Sequence, residues 1–229
     1  MRHNFSKIFK GDHSFHQESH SGYKLQMLKV LSVWNSNTQH DYGILRVFRL
    51  TLVSLLLLFP GVLIDQIFRR SSTVSRKLIV ETYVIFKMIF PIVILSNHLY
   101  YNSFVFYFSI YLLIETYIYL FSKIFLGEHH SKTSNMRTLM LLIINFLESS
   151  FTFAVIYLSG NYLNIKQNHV IDAVYYSFVT SATIGYGDIF PITNEGKLIV
   201  ILQILSSVSF IVLFFNFFSG KAHQQTPQA

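Results

Sequence analysis

The stretch Thr180 to Asp188 reads Thr-Ser-Ala-Thr-Ile-Gly-Tyr-Gly-Asp. Gly185 and Gly187 alternate with Ile184 and Tyr186. Glycine adopts a positive φ at no steric cost. Glycines at alternate positions therefore let successive carbonyl oxygens point to one side of an extended chain, and Thr183 adds a hydroxyl to that row. Hard cations are held by oxygen ligands that replace their water. One chain supplies a single file of such ligands, a quarter of a ring; four copies around an axis would stack complete cages. No nucleophile–base pair, phosphate-cradling glycine loop or zinc-ligand spacing stands elsewhere in the chain. The chemistry is ion coordination without a covalent step, so the sequence reads as a non-enzyme with no cofactor.

Such a row of oxygens needs a scaffold, and composition says which kind. Of the 229 residues, 52% are hydrophobic and only 13% charged, against about 25% charged in soluble domains. Mean hydropathy is +0.42. Long apolar runs with so few charges indicate an all-α integral membrane protein. The 23 Phe and 14 Tyr suit lipid-facing packing and interfacial belts. The net charge of +7 sits beside the apolar runs, which favours anionic lipid headgroups over nucleic acid as the partner. There is no cysteine, hence no disulfide framework and no thiolate chemistry.

Taken in order, residues 1–43 form a polar tail with no signal-peptide pattern. His13, His16 and His20 share a helical face within it, a spacing that fits a metal or proton site less well than a solvated tail. Tyr23 to Trp34 is amphipathic and reads as a helix in the headgroup region or as an ordinary packing helix. Residues 44–77 hold the first apolar segment, Ile44 to Ile64, interrupted by Pro60-Gly61, and then a basic loop. Residues 78–138 hold two spans, Leu78 to Leu95 and Phe104 to Leu126. Residues 139–219 hold a span from Leu139 to Leu158, a short helix from Val170 to Ala182, the glycine-alternating stretch, and a last span from Gly196 to Phe218. Residues 220–229 are a polar tail.

The run Thr180, Thr183, Gly185, Tyr186, Gly187, Asp188 resembles the potassium-channel pore-loop family at every fixed position of its motif, with Ile184 where the family has Val or Ile. That family is the standard case of a carbonyl selectivity filter. The resemblance covers about residues 139–219. It implies a two-span plus pore-helix module assembled as a four-fold homo-oligomer in the cell membrane, conducting K+ passively. It implies K+ ligation by the carbonyls of Thr183, Ile184, Gly185 and Tyr186 and by the Thr183 hydroxyl. Gly187 would turn the chain outward, Asp188 would brace the outer mouth, and Thr180, Tyr175 and Tyr176 would buttress the filter from behind. Val179 stands where some members have a Glu that pairs with the filter acid. Ser207 stands where the family often has a hinge glycine, so bending there is not expected. Phe215 lies on a face with Val208, Ile211 and Ser219 and is the candidate for a hydrophobic constriction, if it does not pack against the neighbouring span and lipid.

A filter toward the outer face fixes the rest of the topology. Loops 65–77 and 127–138 fall inside, loop 96–103 outside, and the carboxyl tail is cytoplasmic. The Lys and Arg of the two inner loops, and their absence from the outer one, agree with the positive-inside bias. Keeping the basic amino-terminal tail inside favours a hairpin over a crossing for residues 44–64. Phe104 to Leu126 carries no arginine, so strong voltage sensing is not expected. Glu81, Lys87, Glu115 and Glu148 are costly in lipid and should face protein or water. Lys87 is expected to pair with Glu115, and Glu148 to be structural ahead of proton-sensing. Glu128-His129-His130 reads as solvated loop ahead of a sensor. The alternative function is a non-conducting regulatory subunit or membrane scaffold that assembles with another channel.

Overall fold

The computed structural model describes residues 31, 43–59, 73–125, 135–166 and 169–224. The amino-terminal histidines, almost all of the amphipathic stretch 23–34, Pro60-Gly61 and Glu128-His129-His130 lie outside the described residues. Two units are distinguished, residues 1–83 and 84–229.

In the first unit, α1 runs Ile44–Leu56. Its 13 residues rise about 20 Å at 1.5 Å each, short of the roughly 30 Å of a bilayer core. Leu52, Val53 and Leu56 are its buried residues. The opening turns of α2 (Thr73–Ser96) also fall here.

The second unit holds the rest of α2, then α3 (Ser103–Phe125), α4 (Asn135–Ser159), α5 (Val170–Ser181) and α6 (Asn194–Gln224). Four helices are long and apolar enough to cross a membrane, over Leu78–Ser96, Ser103–Phe125, Met136–Ser159 and Asn194–Phe218. Among the described residues the protein is all-helical, apart from one isolated antiparallel bridge, Leu163 to Pro191. It is thus a helical integral membrane protein.

Polar residues between the spans explain where helices begin. Asn102 accepts the N–H groups of Phe104 and Val105 at 3.0 and 3.3 Å, satisfying two donors that the first turn of α3 leaves without intrahelical partners. Thr193 does the same for α6 through Gly196 N–H at 3.0 Å. Pro91 lies inside α2; lacking an N–H, it cannot bond the Lys87 carbonyl one turn earlier.

The core lies where α4 meets its neighbours. Phe153, Ala154, Val155, Tyr157 and Leu158 of α4 are buried against Ile94, Leu95, Tyr100 and Leu113 on one side and Ala173 and Tyr176 of α5 on the other. A second cluster packs Phe210 and Leu213 of α6 on Leu120 and Leu142. Phe210 meets Tyr117 and Phe146 edge-on at 5.9 and 5.5 Å, the geometry aromatic quadrupoles favour. These contacts hold the short helix α5 and the long helix α6 against one support.

The expected charged contact forms in the same unit, and it is larger than a pair. Lys87 Nζ lies 3.4 Å from Glu115 Oε2 and 3.7 Å from Glu148 Oε1. It donates to Thr116 Oγ1 at 2.5 Å, and Thr116 donates to Glu148 Oε2 at 2.7 Å. Lys87, Glu115, Thr116 and Glu148 are all buried. Glu148 thus joins α2, α3 and α4 in one electrostatic contact, a structural placement rather than one facing solvent.

Candidate functional site

The α5 helix ends at Ser181 because the chain then leaves helical dihedrals. Ala182 N–H still reaches Phe178 O at 2.9 Å, Thr183 N–H reaches Thr180 O at 3.0 Å, and Ile184 N–H reaches Val179 O at 3.0 Å. Three residues beyond the helix therefore remain tethered to its last turn. Past them, φ is +57° at Thr183, +61° at Gly185 and +81° at Gly187, while Ile184 and Tyr186 are not in the positive region. Left-handed backbone at every second residue is the alternation that a one-sided row of carbonyls requires. Glycine adopts it freely; Thr183, with a Cβ, does so at a cost of roughly 1–2 kcal/mol.

This run is uncovered by its own chain. Residues 182–188 are all exposed, with Ile184 at 54% and Tyr186 at 68%. Burial stops at Ser181 and resumes only partly at Ile189. Apart from Tyr175, which stacks on Tyr186, this glycine-alternating, left-handed segment has little cover from its own chain.

The two adjacent tyrosines of α5 face different ways. Tyr175 stacks on Tyr186 with planes 3° apart and centroids 6.4 Å apart. Desolvation, together with the Asp188 carboxylate, holds its phenol above the ordinary pKa. Tyr176 faces the opposite way, meeting Tyr157 edge-on at 5.1 Å. The Val179 carbonyl, for its part, serves Ile184.

Beyond Asp188 the chain is clamped to the α4–α5 connection. Asn164 Oδ1 accepts Phe190 N–H at 2.7 Å and Asn164 Nδ2 donates to Asp188 O at 3.4 Å. Backbone bonds from Asn164 N–H to Phe190 O (3.1 Å) and from Ile192 N–H to Tyr162 O (2.9 Å) complete the clamp. Asn164→Ala should raise hydrogen exchange at the Phe190 amide ~5-fold, as loss of one bond worth about 1 kcal/mol implies. An unchanged rate there would show that the side chain carries none of the clamp.

The two candidate gate residues lie on different faces of α6. Ser207 is buried, its hydroxyl donating to Gln203 O at 2.9 Å. Phe215 is 72% exposed, on the side that also bares Val208 and Ile211. His169 Nδ1 and Asp172 Oδ2 pair at 3.1 Å at the start of α5. Sequence reasoning did not single out Asn164 or the buried Gln203. A polar residue in the middle of an apolar span is the signal that marks Gln203; Asn164, in a polar loop, carries none.

Residues 139–222 match the family model described as ion channel. The chain is 36% identical over 74 residues to a hyperpolarization-activated voltage-gated potassium channel of Methanocaldococcus jannaschii, covering 32% of this chain and 34% of that protein. It is 33% identical over 78 residues to two-pore potassium channel 4 of Arabidopsis thaliana, covering 34% and 26%, and 37% identical over 85 residues to two-pore potassium channel 2 of the same plant, covering 37% and 18%. The matches thus span about a third or less of each relative's length. No solved structure matches the chain. The glycine-alternating run, its supporting helix and the two flanking spans fall within the matched segment, which is where the chain resembles potassium-channel pore-loop proteins.

Proposed function

We propose that the protein is a potassium-selective channel in which four copies place their Thr183–Tyr186 segments around one axis. The observation that carries this reading is the alternation of positive φ at Thr183, Gly185 and Gly187 in a run its own chain leaves uncovered. The carbonyls of Thr183, Ile184, Gly185 and Tyr186, with the Thr183 hydroxyl, would replace the water of a dehydrated K+. Repulsion between neighbouring ions would speed exit. The carboxyl end of α5 carries about half an elementary negative charge by its macrodipole, favouring a cation on the inner side.

The four-fold assembly rests on incompleteness. One chain supplies one file of oxygens, and α6 bares Leu198, Ile201, Leu202, Leu205 and Phe215, a face that copies of itself would cover. Phe215 lies on that face and would form a hydrophobic constriction that closes by dewetting. The helix α3, preceding the pore module, has Lys123 as its one basic residue, which supports a gate not driven by a charged voltage sensor. The positive-inside bias places the loop around residues 127–138 and the carboxyl tail in the cytoplasm, with the protein in the cell membrane.

The test is K+ and Na+ flux through the purified protein in liposomes. K+ flux well above Na+ flux is the expected result. Equal fluxes would overturn selectivity. Absence of flux, together with absence of K+-dependent protection of the oligomer against heating, would favour the non-conducting subunit or scaffold. Tyr175→Phe, which removes the hydroxyl that senses the Asp188 carboxylate, should hasten the decay of K+ flux without changing the K+/Na+ ratio at its start. A decay identical to wild type would show that the Tyr175–Asp188 contact does not brace the mouth.

A further inference from the structure

Between α4, α5 and α6 lies a polar network sealed from solvent. Gln203 of α6 is 0% exposed, as are Ser177 of α5 and Ser150 of α4. The Gln203 Nε2 amide group lies 2.9 Å from Ser177 O, 2.9 Å from Ser177 Oγ and 2.8 Å from Ser181 Oγ. Its Oε1 accepts the Tyr157 hydroxyl at 2.6 Å. Ser177 Oγ in turn donates to Ser150 O at 2.6 Å, and Ser150 Oγ lies 3.2 Å from Ser181 Oγ. An amide has two donors and one acceptor oxygen, and here all of them are directed to partners on two other helices.

Cohesion alone does not require this arrangement. Apolar side chains would pack three helices at lower desolvation cost, since a buried polar group is tolerated only when fully bonded. What the network adds is direction. Ser177 and Ser181 are in the final turn of α5, and Ser181 is two residues before Thr183, the first ligand of the proposed filter. The N–H groups of Ala182, Thr183 and Ile184 hang from that same turn. On α6, Gln203 is one turn before Ser207, whose hydroxyl back-bonds to the Gln203 carbonyl. The same helix bares Val208, Ile211 and Phe215 on another face. One side of α6 therefore grips the filter's support while another carries the candidate constriction.

We infer that Gln203 is a specificity-determining positioning residue: its amide fixes the last turn of α5, and through it the Thr183 end of the filter, relative to α6. This rests on the proposed conduction of K+. A tilt or rotation of α6 that moves Phe215 would also pull on Ser177 and Ser181, so the inner constriction and the innermost ion site respond to one helix. Thr183 makes this end sensitive, because its left-handed backbone is held by the tethers to α5 against the cost of its Cβ.

The test uses the full chain in liposomes, as wild type, Gln203→Leu, Gln203→Glu and Tyr157→Phe. The readouts are the K+/Na+ flux ratio from pH 5 to 8 and the K+ concentration that half-protects the oligomer from heating. Gln203→Leu should lower the flux ratio ~10-fold or more and raise the half-protecting K+ concentration. Tyr157→Phe keeps Gln203 and removes one donor, and should lower the ratio by a few-fold. Gln203→Glu should be selective at low pH, where the protonated carboxyl regains a donor while still accepting from Tyr157. It should lose selectivity as the pH rises and that proton leaves, a profile wild type does not show. A purely cohesive residue would not produce a pH-dependent ion ratio. Variants that reduce only the yield of assembled protein, with a wild-type ratio at every pH in what assembles, overturn the proposal. A wild type without K+ preference overturns the conduction reading itself, and is told apart because it needs no variant.

Discussion

Gly185→Ala will abolish K+ flux through the reconstituted protein while leaving its helices intact. The argument is conformational before it is steric. At φ +61° the added Cβ would meet nothing within 4 Å inside the chain, so the fold itself has room for a methyl group. The cost is that of holding an L-residue left-handed, about 1–2 kcal/mol. In a four-fold ring it is incurred four times over, roughly 4–8 kcal/mol in total. Relaxing to negative φ removes the strain but turns a peptide plane, and with it an oxygen, out of the row. Since each 1.36 kcal/mol is tenfold in rate, a loss of ~100-fold or more is expected. Circular dichroism should be unchanged, since the substitution touches no helix. Flux within about threefold of wild type, a change of roughly 0.7 kcal/mol, would sink the assignment of this run as the ion path.

The second large effect concerns stability. Lys87→Met keeps the length and apolar stem of the side chain but removes the ammonium that Glu115 and Glu148 approach at 3.4 and 3.7 Å. It also removes the donor to Thr116. Breaking a buried charge contact by deleting one partner costs ~3–5 kcal/mol, because the remaining charge stays buried. Thermal unfolding in detergent should shift accordingly. The double substitution Lys87→Met with Glu148→Gln should recover a large part of the loss, since it removes a carboxylate along with the ammonium. A single variant within about 1 kcal/mol of wild type, the ordinary range for a substitution without a named mechanism, would show that the cluster carries little of the fold. Conduction per assembled channel is expected to survive in the double variant, because the cluster joins α2, α3 and α4 and touches neither α5 nor the filter.

The sequence also shows why certain residues could be read in advance and others could not. The four spans follow from runs of apolar residues long enough for a bilayer, and their observed limits, Leu78–Ser96, Ser103–Phe125, Met136–Ser159 and Asn194–Phe218, lie within a few residues of those read from hydropathy. The left-handed backbone of the run was legible because glycine at alternate positions is a local requirement: the φ of Gly185 and Gly187 depends on those residues and their immediate neighbours. The Lys87–Glu115 contact was legible from the cost of isolated charge in lipid, which forces opposite charges together wherever geometry allows. Glu148 as a third member was not, since nothing in the spacing of α4 reveals which of its faces meets α2 and α3.

What the amino-acid sequence determined by itself was the class of the protein and the position of its glycine-alternating run, because hydrophobic length and glycine alternation act within a single segment. Tertiary structure alone decided how that run is supported. Tyr175 turns to Tyr186 and Asp188 while Tyr176 turns to Tyr157, although the two are adjacent in sequence and chemically identical. Their divergence comes from the 100° step between neighbours on a helix packed on α4 on one side and open on the other. Gln203 likewise gains its partners only when α4, α5 and α6 converge, bringing together Tyr157, Ser177 and Ser181 from 22 to 46 positions away. A hydrogen bond specifies direction and distance in space, and no pattern along the chain encodes which distant hydroxyl will complete it.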